Sequence, residues 1–239
     1  MPMKKRIWEL DALRGLCVLG MVAVHLVYDL VYLYRLVDWE YTPAFAFVQQ
    51  WGGVLFLLIS GICVTLGRHH IKRGLIVFAC GMLCTAATAG MYVLKLADVS
   101  LVIYFGVLHC LGVCMLLWQT VKKLPAWALA VLGLALSAAG LWLMYGPAVD
   151  FPWLIPLGLK MQGFQSSDYF PLLPNFGFFL LGAALGKMVY ASGESLLPNV
   201  RETNPILRFL RGCGAHSLWI YLLHQPVLSG VMYLIMRFK

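Results

Sequence analysis

Four ionisable residues interrupt the first long apolar run of the chain: Asp11, Arg14, His25 and Asp29. A charge inside a membrane-length apolar segment is costly, so each marks a site until shown otherwise. Arg14 and His25 are eleven residues apart. At helical pitch that is about 1100°, three turns plus roughly 20°, so both project from one face with a rise of about 16 Å. Asp29 follows His25 by four residues and continues the stripe one turn on, with Tyr28 beside it. Asp11 and Arg14, at i, i+3, are spaced to pair. The stripe thus offers a cation, an imidazole and a carboxylate in order. A carboxylate one turn from an imidazole accepts its ring N–H, fixes the tautomer and raises basicity. Such a line is suited to bringing an anionic group to a base. Two plainer arrangements use the same residues: Arg14 snorkelling to lipid phosphates, and His25–Asp29 as a structural hydrogen-bonded pair.

Two further histidines lie in apolar runs. His224 stands in Leu222-Leu223-His224-Gln225-Pro226, where the proline frees a carbonyl one turn back. That predicts a broken helix, which is tolerated where it lines a cavity. His109 follows Tyr104-Phe105-Gly106-Val107-Leu108. Either histidine could line the cavity of His25, and either could instead bond a neighbouring helix. His69 and His70 sit in the basic stretch Arg68-His69-His70-Ile71-Lys72-Arg73, a topology signal first and an anion contact second.

The elements that must carry these residues follow from composition. Of 239 residues, 62% are apolar and 12% charged, with mean hydropathy +0.83. A soluble domain carries about 25% charged residues, so a soluble or disordered chain is excluded. The composition predicts an all-α, polytopic membrane helix bundle forming a single domain over 1–239. Apolar runs near 12–34, 44–66, 74–94, 101–119, 126–145, 173–191 and 214–236 predict seven spans, with an eighth open within 146–172. The basic start is followed by acidic residues and no small-residue cleavage site, which predicts a retained first helix.

With the N-terminus in the cytoplasm, inner segments hold 13 cations: Lys4, Lys5, Arg6, Arg14, Arg68, Lys72, Arg73, Lys122, Lys123, Lys187, Arg201, Arg208 and Arg211. Outer segments hold five: Arg35, Lys95, Lys160, Arg237 and Lys239. The asymmetry predicts that orientation. The net charge of +8 and pI of about 9.2 fit topology and anionic lipid rather than nucleic acid. Gly182 and Gly186 form a G-x-x-x-G face. The loop 146–172 is rich in proline and aromatics and suits a lid or an interfacial anchor; the loop 192–213 reads as polar and basic. The seven cysteines include two i, i+4 pairs, Cys80/Cys84 and Cys110/Cys114, expected to pack as small apolar residues.

The stretch Arg6-Ile7-Trp8-Glu9-Leu10-Asp11-Ala12-Leu13-Arg14-Gly15 resembles the opening of membrane acyltransferases of the heparan-α-glucosaminide N-acetyltransferase catalytic-domain family, chiefly its short bacterial members. More loosely it is similar to the acyltransferase-3 family. The resemblance continues in Leu58-Ile59-Ser60-Gly61, in Gly106-Val107-Leu108-His109, in Ser167-Asp168-Tyr169-Phe170-Pro171-Leu172-Leu173-Pro174, and from His216-Ser217-Leu218 to His224-Gln225-Pro226. The acyltransferase-3 spacing of arginine, ten residues, histidine is met by Arg14 and His25, and its Arg-x-x-x-Arg approximately by Arg68 and Lys72. The loop histidine of the lysosomal enzyme would fall near Leu36; no histidine stands in 35–43.

The resemblance implies acetyl transfer from cytoplasmic acyl-CoA, typically acetyl-CoA, to an amino or hydroxyl group of an extracytoplasmic glycan or similar acceptor. Arg14, Arg68, Lys72 and Arg73 would hold the CoA phosphates. His25 would act as base or be acylated itself, with Asp29 orienting it. Asp168, Tyr169, His109 and His224 are the candidates for the acceptor. No metal is required. The expected setting is the bacterial cytoplasmic membrane, with lipid, acyl-CoA and acceptor as partners, no nucleic acid, and a homodimer left open. A proton-coupled or small-solute transporter would use the same polar line, as would a non-catalytic assembly or lipid-handling protein. Transporters commonly show two similar halves, and no such symmetry is visible.

Overall fold

The computed structural model describes residues 6–40, 42–159, 161–200 and 204–238. Lys4, Lys5, Lys160, Arg201 and Lys239 of the charge count lie outside them. Each expected apolar run becomes a helix: α1 Trp8–Tyr28, α2 Pro43–Leu66, α3 His70–Val93, α4 Val107–Val121, α5 Ala126–Met144, α6 Leu172–Val189 and, after an additional α7 Pro205–Ala215, α8 Ser217–Arg237. Six of these helices are long and apolar enough to cross a membrane, α1 counting to Leu33 through a π-helical turn at Asp29–Leu33. Among the described residues there is no strand, only an isolated parallel bridge between Phe105 and Tyr169. The chain divides into two compact units: Met1–Phe56 with Gly193–Lys239, and Leu57–Ser192.

In the first unit α7 packs antiparallel against the start of α1. A Cβ on Gly15 would overlap the Leu210 carbonyl, and one on Gly214 would overlap the Asp11 carbonyl. Glycine at both points lets the two backbones touch, the close approach that small residues permit between membrane helices. The α7 helix corrects the polar loop expected over 192–213. Asn204 caps it by accepting the Ile206 N–H at 2.9 Å, and Pro205 occupies its first turn. Ile206, Arg208 and Phe209 face outward, and Cys213 and Gly214 are buried. The Asp11–Arg14 pair expected from spacing does not form. Asp11 instead takes Arg6, Nε to Oδ2 at 3.0 Å, while Arg14 points elsewhere. Buried Glu9 accepts the Ser195 hydroxyl and the Leu196 N–H, both at 2.8 Å, tying the 195–197 turn to the first turn of α1.

In the second unit α5 packs on α6 and α3 on α4. The G-x-x-x-G face of α6 does form a close crossing. A Cβ on Gly182 would overlap the Leu58 carbonyl, and one on Gly186 would lie 3.0 Å from the Ile62 backbone. The fourth helix is shorter than its apolar run. Its 15 residues rise roughly 22 Å, against about 30 Å of hydrocarbon. Residues 102–106 are extended instead, entered by a 3₁₀ turn at Val99–Leu101. Non-helical backbone at membrane depth survives only when its polar groups are satisfied inside protein, and here side chains do it. Thr88 Oγ1 accepts the Ile103 N–H at 3.1 Å, and Thr85 Oγ1 donates to the Ile103 carbonyl at 2.7 Å. Ser166 and Ser167 donate to the Val102 and Leu101 carbonyls, each at 2.9 Å. Between α5 and α6 the described residues hold a 3₁₀ turn, Pro152–Leu157, and no eighth span. Cys110 and Cys114 are buried with their sulfurs 3.9 Å apart, packed and unbonded.

Candidate active site

The polar stripe of α1 meets a matching stripe on α8, both within the first unit. Arg14 Nη2 donates to Ser217 Oγ at 2.8 Å. The His25 and His224 rings lie edge-to-face, centroids 4.8 Å apart at 70°. Gln225 Nε2 reaches both oxygens of Asp29, at 3.1 and 3.0 Å. The three pairs occur in the same order along both helices, so α1 and α8 run parallel. For spans that alternate in direction, parallel first and last spans require an odd number of crossings between them. Helix α8 runs through Pro226 without a break, which corrects the interrupted helix expected there.

The expected His25–Asp29 hydrogen bond is absent. Asp29 is fully buried, opens the π-helical turn of Asp29–Leu33, and takes Gln225. His25 Nδ1 lies 2.9 Å from the Met21 carbonyl, and His224 Nδ1 lies 2.6 Å from the Tyr221 carbonyl. A carbonyl only accepts, so these contacts put a proton on each Nδ1, and in the neutral ring the lone pair is on Nε2. His224 Nε2 is buried and has no hydrogen-bond partner, and the same holds for Gln225 Oε1 and Arg14 Nε. An unmet buried polar atom costs about 1–3 kcal/mol, so three along one ladder need a reason. Their kinds are sorted: an open donor at the Arg14 end, open acceptors at the His224–Gln225 end.

The second unit treats its candidates differently. His109 is buried with both nitrogens engaged. Nδ1 accepts the Gly106 N–H at 3.2 Å. Nε2 faces Thr85 Oγ1 at 3.2 Å, and that hydroxyl donates onward to Ile103. With both ring nitrogens engaged, His109 holds the turn into α4. Asp168 Oδ2 accepts the Val107 N–H at 3.1 Å, placing a carboxylate at the positive end of α4. A Cβ on Gly106 would overlap that oxygen, so the glycine is what admits Asp168. Tyr169 donates to the Ile155 carbonyl at 2.7 Å, and burial pushes its phenol up to about 12. The motif pieces Gly106–His109 and Ser167–Tyr169, some sixty residues apart, thus form one structural knot.

Arg68 and Lys72 line an open groove of about 760 Å³ with His69, His70, Gln119 and Lys122. Arg73 does not line it. Lys187 Nζ donates to the Lys122 and Leu124 carbonyls at 2.7 and 2.6 Å beside the C-terminus of α4. Ser217 and Gln225 are the ladder residues that a search for ionisable groups passes over. Their signal is weak: single neutral polar side chains within an apolar run, each next to a histidine.

Six membrane-length helices and a half-buried ladder of cation, imidazoles and carboxylate define an integral-membrane protein with an intramembrane polar site. The family model described as heparan-α-glucosaminide N-acetyltransferase, catalytic, matches residues 6–226. The chain therefore belongs to that family, one of membrane acetyltransferases. The match takes in every residue of the ladder. No curated protein and no solved structure matches the chain.

Proposed function

We propose that the protein moves an acetyl group from cytoplasmic acetyl-CoA to an amino or hydroxyl group of an extracytoplasmic glycan or similar acceptor. The observation that carries this is the state of His25: its Nδ1 proton is held by Met21, and Nε2 is the nitrogen left for base or nucleophile. Arg14, with Nε unmet, offers a cation to an anionic part of the donor. The groove at Arg68 and Lys72 is a second proposed seat for phosphate, and Arg73 flanks it in sequence. Asp29 acts through the packing of the ladder, because it does not bond His25. His224 borders His25 and is the acceptor-side candidate from α8. Asp168 and Tyr169 remain candidates for the acceptor only through the outer face of their knot. The proposed orientation, N-terminus in the cytoplasm of a bacterium, follows the cation asymmetry.

The test is acetyl-CoA binding to detergent-purified protein, wild type against Arg14→Ala. Binding lost in the variant is the expected result. Wild type that does not bind, together with solute flux in liposomes, would replace acetyl transfer with transport. Comparing glycans and lipids by mass spectrometry, in cells with and without the protein, then identifies the acceptor.

A further inference from the structure

Acetyl transfer through His25 has two routes. In one, His25 is the base for a direct transfer. In the other, His25 carries the acetyl group between donor and acceptor. The second route contains a gap that His25 itself cannot fill. Its Nδ1 proton is held by the Met21 carbonyl, so the acetyl group must sit on Nε2. Once Nε2 is acylated it has no lone pair, and the acceptor's proton needs another home. Of the neighbouring titratable groups on α1, Asp29 has both oxygens engaged by Gln225, and Tyr28 is stacked on Tyr32. On α8, Tyr221 lends its carbonyl to His224. His224 Nε2 is buried, unpartnered and unprotonated, on a ring 4.8 Å from that of His25.

We propose that His224 is the base of the second half of the transfer, acting on the acceptor after His25 has taken the acetyl group. This rests on the acetyltransferase function proposed above. In the first half, the His25 Nε2 lone pair forms a bond to the thioester carbonyl carbon. The C–S bond breaks, and its electron pair leaves on sulfur as CoA thiolate. In the second half, the acceptor heteroatom bonds to the same carbon as the C–Nε2 bond breaks, returning that electron pair to His25. The acceptor's proton passes to His224 Nε2. It then neutralises the thiolate directly or through water, and both rings return to their starting state. Each imidazole does one task, and the Nδ1 contacts to Met21 and Tyr221 keep both Nε2 atoms available.

The experiment follows isotope-labelled acetyl through purified protein in a single turnover, with glucosamine or hydroxylamine as the discharging nucleophile. Hydroxylamine attacks acyl-imidazoles without help from a base, so it reports on loading and access alone. His224→Asn and His224→Gln are expected to load label on His25 as wild type does, and to release it to hydroxylamine normally. Their release to glucosamine is expected to fall about 10²–10⁴-fold, the usual worth of a general base. Release to glucosamine at the wild-type rate would overturn the assignment. So would variants that bind acetyl-CoA yet fail to load, since His224 would then belong to the first half. Wild type that transfers acetyl with no label on His25 sinks this step and leaves the acetyltransferase function standing. Wild type that neither binds acetyl-CoA nor transfers acetyl sinks both.

Discussion

His109 in the second unit and His25 and His224 in the first are all imidazoles set among apolar helices, yet their ring nitrogens meet different surroundings. Around His109 each polar atom hands its hydrogen bond to the next: Gly106 N–H to the ring, the ring to Thr85, Thr85 to the Ile103 carbonyl. Along α1 and α8 the chain of contacts stops short, with His224 Nε2, Gln225 Oε1 and Arg14 Nε unmet. A closed network rigidifies and specifies a fold, while an open one carries the cost of its unmet polar atoms. The contrast is between met and unmet polar atoms on the same chemical group.

Mutation is expected to split the two units cleanly. His25→Ala should lower acetyl transfer by about 10³-fold or more while acetyl-CoA binding and solubilised yield persist; near-normal turnover in a transfer assay would remove His25 from the chemistry. His109→Ala should do the reverse. It leaves the Gly106 N–H unmet, takes one of the two contacts of the Thr85 hydroxyl and opens a cavity, costing about 2–4 kcal/mol. The check is thermal stability in detergent, with turnover per folded molecule unchanged; a stable but inactive variant would merge the two classes. Asp29→Asn should slow transfer roughly tenfold, about 1.4 kcal/mol of barrier, because the amide disturbs the Gln225 contact and not His25 directly. An unchanged rate would make Asp29 wholly structural. Asp168→Asn keeps an oxygen for the Val107 N–H and loses only the charge at the start of α4, about 0.3–1 kcal/mol, visible as a small drop in melting temperature. If transfer collapses while the protein stays folded, Asp168 belongs to the acceptor site after all. The smallest effect concerns Tyr169. Its folded pKa is raised to about 12, so its contribution is complete below the ordinary phenol range near 10 and is lost as pH climbs toward 12. Wild type and Tyr169→Phe should therefore show a constant stability difference from pH 6 to 9, and a melting series across pH checks it.

The spans were legible because each apolar run is long enough to admit only a helix in lipid. The short α4 was not, since Val102-Ile103-Tyr104-Phe105 is as apolar extended as helical, and only Thr85, Thr88 and Ser166 show how its backbone is satisfied. The stripe of Arg14, His25 and Asp29 was visible from helical spacing. Its partners were not, because spacing along one helix says nothing of which helix lies opposite. Asp11 is claimed by Arg6, which precedes α1 and so is not bound by the helical spacing that pointed to Arg14. Helix α7 did carry a signal, Asn204-Pro205 at its start and Leu207, Leu210 and Gly214 at helical intervals, masked by the basic residues between them.

The first unit joins opposite ends of the polypeptide. During synthesis α1 emerges and enters the bilayer long before α8 exists. Through that interval Arg14 and Asp29 lack Ser217 and Gln225, and an ionisable side chain without its partner within a span is costly. The nascent first span is therefore the least secure part of the protein until the last one arrives. Premature termination upstream of Ser217 would leave a chain whose instability begins at its oldest helix, a natural mark for membrane quality control.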